Sequence, residues 1–129
     1  MNLSYTTYRI NCTHPFGISR SKNDWYDIVL IYIKDGPIVG IGEAAPSVRY
    51  NETTERIISV LSEVIELPDE LSDRENIWKI IYPQLKGLKS LEAAFSMALW
   101  DWWGQKLEKP IHRLLNIKSG RMPLTSYTI

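Results

Sequence analysis

Trp25-Tyr-Asp-Ile-Val-Leu-Ile-Tyr-Ile-Lys34, then Asp35-Gly36, then Ile38-Val-Gly-Ile41, is the stretch that decides the fold. Isoleucine, valine and tyrosine suit a pleated surface, and the run is apolar almost without a break. A run of this kind is expected mid-sheet with both faces covered. Asp35-Gly36 marks a tight turn, because glycine accepts positive φ, and the return through Ile38 to Ile41 makes an antiparallel pair. Upstream, Leu3 to Cys12 carries Tyr5, Thr6, Thr7, Tyr8 and Ile10 and reads as a third strand. The three predict an antiparallel meander. Between the first two strands lies a polar segment, His14 to Asp24, that contains Pro15 and Gly17. It is longer than a hairpin turn needs, and such loops often carry function.

Beyond the third strand the pattern changes to helical period. Asn51 is positioned to cap a helix starting at Glu52, with Ile57, Ile58, Leu61, Val64 and Ile65 on its apolar face and Pro68 ending it. Ser72 and Glu75 have capping-box spacing before Ile77, Trp78, Ile80 and Ile81. Ser90 is the expected cap of the most regular helix, in which Leu91, Ala94, Phe95, Ala98, Leu99 and Trp102 form one stripe. Ala93, Met97 and Trp100 form a second apolar face, so this helix is expected to be packed on two sides. Pro110 opens a short segment with Ile111, Leu114 and Leu115, and Met122 to Ile129 reads as a further strand. The fold class is therefore α+β: a three-stranded meander, a small helical bundle and a C-terminal strand.

The 129 residues are 44% hydrophobic and 23% charged, and 15 basic side chains balance 15 acidic ones. That composition is one of an ordinary globular domain with no overall field to attract nucleic acid or an anionic membrane. A single cysteine, Cys12, excludes an internal disulfide framework and fits a reducing compartment. The N-terminus has no basic-then-apolar leader, and no apolar run is long enough to span a bilayer. A soluble, cytoplasmic, single domain is expected.

Few residues carry recognisable chemistry. Gly40-Ile-Gly42-Glu43-Ala44-Ala45 matches the skeleton of a dinucleotide-binding turn, but that turn needs a helix starting at its glycines, and here Pro46 and Ser47 intervene. Close backbone approach is the expected reason for the glycines. His14 and His112 lie far apart, no Cys/His/carboxylate group has metal-ligand spacing, and Cys12 has no evident base. Trp100, Trp102 and Trp103 point to different faces of one helix and read as packing rather than a stacking platform. No catalytic residue and no metal ligand is expected in this chain.

Five segments in order carry a resemblance. They are Pro15-Phe-Gly-Ile-Ser-Arg20, Gly40-Ile-Gly-Glu-Ala-Ala-Pro-Ser-Val-Arg-Tyr-Asn-Glu-Thr54, Ala94-Phe-Ser-Met-Ala-Leu-Trp-Asp101, Pro110-Ile-His-Arg-Leu-Leu115 and Thr125-Ser-Tyr-Thr-Ile129. Together they resemble the N-terminal capping domain of the enolase superfamily, in the muconate-lactonizing and dipeptide epimerase branch (L-Ala-D/L-Glu epimerase-like). The resemblance implies a cap over residues 1–120 and the start of a (β/α)₇β barrel over 121–129, the rest of the barrel being absent from this chain. It implies an isomerase that removes and returns a proton α to a carboxylate, the substrate being a dipeptide or a related small carboxylate. Mg²⁺ would serve the full-length enzyme through ligands outside this chain, and the fragment alone would be inactive and without a cofactor.

By the same resemblance Arg20 would meet the substrate's distal carboxylate, Thr128 would line the pocket from the first barrel strand, and Arg49 and Tyr50 would line it from the loop near 46–51. Homo-oligomerisation is a further expectation. A cap of a muconate-type cycloisomerase or o-succinylbenzoate synthase, and a stand-alone interaction module, are the alternatives.

Overall fold

A computed structural model describes residues 1–18, 21–63, 65–68, 73–118, 120 and 123–125, with the backbone alone for 15–18 and 21–22. Three strands, β1 (Asn2–Ile18), β2 (Ser21–Asp35) and β3 (Ile38–Ala44), form one antiparallel sheet in the order β1-β2-β3. The predicted meander is present. Gly36 stands at φ +57° in the β2–β3 turn, where a side chain would be strained.

The segment 14–24 is not the free loop that its composition suggests. After a register shift between Asn11 and Phe16 the ladder resumes, pairing Phe16 with Asn23 and Ile18 with Ser21. Cys12 to Pro15 thus stand opposite Asp24 alone, and the bulge absorbs Pro15, which has no amide to give a ladder. Just before the bulge, Arg9 donates to both carboxylate oxygens of Asp27 at 2.8 Å while its guanidinium lies 3.8 Å from the centre of the Trp25 ring.

The register sorts β2 into two faces. Val29, Ile31 and Ile33 sit opposite Ala44, Gly42 and Gly40 on one side and are fully buried. On the other side Leu30 and Tyr32 are half-buried, and Ile41 beside them is exposed. The strand is central, yet the helices cover one face; on the other Ile28 is buried while Leu30 and Tyr32 are only half so. Continuous apolarity came from the central position and not from two covering layers.

The covering layer is helical: α1 (Thr54–Ser62), α2 (Arg74–Ile81), α3 (Lys89–Lys106) and the single turn α4 (Ile111–Leu114). All six members of the predicted stripe on α3 have no exposure. The second face is not packed: Ala93 and Met97 are exposed, and Trp100 is half-buried with Arg74 4.0 Å from its ring centre. Trp102 enters the core, donates from Nε1 to Asp35 at 3.1 Å and lies 5.4 Å from the Trp103 ring.

The contact between α3 and β3 explains the two glycines. A Cβ on Gly42 would stand 1.9 Å from the Ala94 carbonyl oxygen, and one on Gly40 would stand 2.1 Å from that of Ala98. Two residues of strand rise about 6.8 Å and four residues of helix about 6 Å, so one strand step matches one helix step run in the opposite direction. The same pairing recurs at the strand's edge. Asp101 accepts the Ile41 amide at 2.9 Å, and Gln105 donates to the Val39 carbonyl at 2.8 Å. Side chains of α3 thereby occupy positions a fourth strand would need.

Capping departs from the sequence reading in α1, α2 and α3. Thr53, not Asn51, caps α1, and the helix stops at Ser62, before Pro68. Asp73 caps α2 by accepting the Asn76 amide at 2.9 Å, while Ser72 lies outside the described residues. Ser90 lies inside α3, whose N-cap position is Leu88 with no side-chain bond. For α1 and α2 several polar residues near the helix start compete for the cap, whereas the first amides of α3 are taken by the distant Glu52. Val64, and Met122 and residues 126–129 of the expected C-terminal strand, also lie outside the described residues.

Candidate substrate-facing loop

β3 ends at Ala44, and after Ala45 and Pro46 the chain makes a single 3₁₀ turn over Val48–Tyr50 before α1. Ser47 opens the turn. Its carbonyl accepts the amides of Tyr50 at 2.9 Å and Glu52 at 3.2 Å, and its hydroxyl accepts the Arg49 amide at 3.4 Å. Asn51 closes it at φ 54°, in the left-handed region asparagine tolerates, with its amide on the Val48 carbonyl at 3.0 Å. Asn51 therefore ends a turn where the sequence suggested that it starts a helix.

No residue of the turn is buried: Val48 is 88% exposed and Tyr50 64%. Arg49 and Tyr50, two of the four expected substrate contacts, stand side by side on this exposed turn. The other two, Arg20 and Thr128, lie outside the described residues. A guanidinium offers forked donors for a carboxylate, and a phenol offers an aromatic surface.

A residue missed by sequence reasoning anchors the loop. Glu52 is only 3% exposed. Its carboxylate accepts the backbone amides of Lys89 and, at 3.1 Å, Ser90, the first two residues of α3. Burial opposes its charge, but hydrogen bonding from Ser90 and Lys89 and the positive charge of Arg56 prevail, holding the carboxyl below its ordinary 4.5. Arg56 also donates to the Asn51 carbonyl. Nothing local in the sequence marks Glu52 for this, because its partners lie 37 and 38 residues away.

Other chemistry is absent from the loop. Among the described residues no group of three or more His, Cys, Asp or Glu could hold a metal ion, and no helix is long and apolar enough to cross a membrane. His14 and His112 are both exposed, and Cys12 is a free thiol in β1. The glycines of the dinucleotide-like skeleton face α3, and a 3₁₀ turn follows them at a distance of several residues, so no helix N-terminus meets them. A surface groove of about 690 Å³ is lined by residues from Met1–Leu3 and Leu61–Leu67 and shares none with the loop.

A sheet of three antiparallel strands backed by helices, with an exposed turn after the third strand, is the capping architecture that the five motifs suggested. The chain belongs to the family described as mandelate racemase / muconate lactonizing enzyme, N-terminal domain, whose model matches residues 3–116. Within it the chain is similar to the L-Ala-D/L-amino acid epimerase of Flavobacterium johnsoniae, 28% identical over all of this chain and 39% of the relative. The substrate-liganded L-Ala-D/L-Glu epimerase of Bacillus subtilis superposes with a TM-score of 0.79 at 28% identity, over 89% of this chain and 33% of that one. The dipeptide epimerase of Methylococcus capsulatus, complexed with Mg and L-Arg-D-Lys, shares the fold with a TM-score of 0.74 at 22% identity, over 88% and 34%. The chain thus spans about two fifths of the length of the curated relatives it matches.

Proposed function

We propose that this chain is the substrate-selecting cap of a Mg²⁺-dependent isomerase that epimerises the α-carbon beside a carboxylate, with a dipeptide as substrate. The observation that carries the reading is similarity along the whole chain to dipeptide epimerases of more than twice its length, within a family matched over residues 3–116. In this reading residues 1–120 are the cap and 121–129 begin the barrel. Arg49 and Tyr50 face the substrate from the 46–51 loop, Arg20 meets its distal carboxylate and Thr128 lines the pocket. The described residues do not suit a Mg²⁺ site, so the metal and the proton-transferring groups are assigned to the length of the relatives that this chain does not span, and no chemical step is assigned here. The cap's part is to position: guanidinium forks fix a carboxylate, and exclusion of water strengthens every charge interaction beneath them.

The test compares the 129-residue chain with the product of the complete reading frame that contains it. Each is incubated with L-Ala-L-Glu and a panel of other dipeptides, with Mg²⁺, in D₂O, and the α-proton of the C-terminal residue is followed by NMR. Loss of that proton signal with the complete product, and not with the 129 residues, is the expected result. Exchange by the chain alone, or by neither protein with any dipeptide, overturns the reading.

A further inference from the structure

We propose that Glu52 is a positioning residue, tethering the 46–51 loop to the N-terminus of α3 and so setting the posture of Arg49 and Tyr50. The second half of this statement rests on the pocket reading given above. The first half stands on geometry alone.

The turn over Val48–Tyr50 buries nothing, so packing does not fix it. Its posture depends on its few hydrogen bonds and on what holds its two ends. The leading end emerges from β3, which is locked against α3 through Gly42 and through the Ile41–Asp101 bond. The trailing end is Glu52. Its amide closes the turn on the Ser47 carbonyl, and its carboxylate reaches the amides of Lys89 and Ser90. One residue thus closes the turn and fastens it to the core.

A buried carboxylate is tolerated only with strong partners, and the first amides of a helix are orphan donors at the positive end of its dipole. Leu88, the N-cap residue of α3, supplies no side-chain acceptor. Helix and loop therefore satisfy each other. Arg56 adds a second fastening by donating to the Asn51 carbonyl, next to Glu52. Loss of the carboxylate removes the direct bond between the turn and α3, leaving β3, that one guanidinium and the run into α1 to hold it.

The experiment separates a tether from a cap that merely stabilises. Amide exchange is measured in the wild-type chain, Glu52→Ala, Glu52→Gln and Asp73→Ala, the last removing a helix cap of similar kind on α2, remote in sequence from the loop. Tyr50, Asn51 and the Arg49–Tyr50 bond (cleaved by trypsin) report the loop, and the Leu99 amide reports global unfolding. Glu52→Ala is expected to speed loop exchange and cleavage about tenfold or more beyond any change at Leu99, and Asp73→Ala to leave that ratio unchanged. Loop and Leu99 rates rising together in Glu52→Ala overturn the tether.

In the product of the complete reading frame, Glu52→Gln is expected to raise KM for L-Ala-L-Glu while kcat stays within about twofold. If Glu52→Ala frees the loop but Arg49→Ala leaves KM unchanged, the tether stands and the pocket reading falls. If Arg49→Ala raises KM while the Glu52 variants move neither loop nor KM, the tether falls and the pocket reading stands.

Discussion

Replacing Gly42 by alanine tests the central packing claim, because the added Cβ meets backbone and not side chain. The atom would stand 1.9 Å from the Ala94 oxygen, 2.8 Å from its carbonyl carbon and 2.9 Å from the Ala98 nitrogen. Restoring an ordinary contact of about 3.4 Å to that oxygen requires a separation of about 1.5 Å (3.4 − 1.9) between β3 and α3. A gap of 0.5–1 Å already forfeits roughly a quarter to a half of each dispersion contact, and overpacking commonly costs about 1–3 kcal/mol before such losses are added. Phe95, Leu99 and Trp102, all fully buried on the same helix, would be drawn away from Ile31 and Ile33. A loss of about 3–5 kcal/mol follows, a large fraction of the roughly 5–15 kcal/mol that holds a domain folded. Urea unfolding reads it as a midpoint lower by about 1–3 M. Because the offended atoms belong to the helix backbone, Ala94→Gly gives no rescue. Gly36→Ala is the control: nothing lies within 4 Å of its Cβ, so only its φ of +57° is penalised, at about 1–2 kcal/mol. A Gly42→Ala variant no less stable than Gly36→Ala would refute the direct strand–helix contact.

Two further outcomes follow from named hydrogen bonds. Asp101→Ala removes the acceptor of the Ile41 amide, so that amide is expected to exchange with solvent about tenfold faster, against little change at Val29 in the sheet centre; equal rates at Ile41 in both proteins would contradict the edge-capping role. Glu52 is ionised in the folded state below its ordinary 4.5, so its contribution is complete above pH 4.5 and is lost as the pH falls through the folded value. The stability difference between wild type and Glu52→Gln, read by urea unfolding, is therefore expected to be largest above pH 4.5 and to shrink below it. A difference independent of pH between 6 and 3 would show that charge plays no part.

What sequence reasoning reached and what it missed divide along one physical line. The meander and the buried stripe from Leu91 to Trp102 were legible because they are periodic, and period is set by local geometry. The reason for Gly40 and Gly42 was legible in kind, since strand glycines invite close approach, although the partner helix was not. The extension of β1 and β2 through 14–24 was hidden because a bulge breaks the alternation that identifies a strand. The caps Thr53 and Asp73 each stand beside an equally plausible polar neighbour. Exposure of Ala93 and Met97 was hidden for another reason: an apolar face in a sequence says that it can be covered, not that this chain covers it. In the candidate loop, Arg49 and Tyr50 came from resemblance, and Glu52 was read as the start of α1 because its partners are distant in sequence.

These features combine in the placing of the loop. Gly42 lies against Ala94 and Gly40 against Ala98, so β3 advances toward the N-terminus of α3 as its numbering rises. One more step of two strand residues against four helix residues brings Ala44 level with Ser90. The loop that leaves β3 there returns at Glu52 to the amides of Lys89 and Ser90. It begins and ends on the first turn of a single helix, a short span closed at both ends on a rigid body, in contrast to the long hairpin of β1 and β2, whose far end extends past a bulge. The 46–51 loop is held at its trailing end by the Glu52 carboxylate on α3, by Arg56 on the Asn51 carbonyl and by the chain's passage into α1, whose Ile57, Val60 and Leu61 are buried.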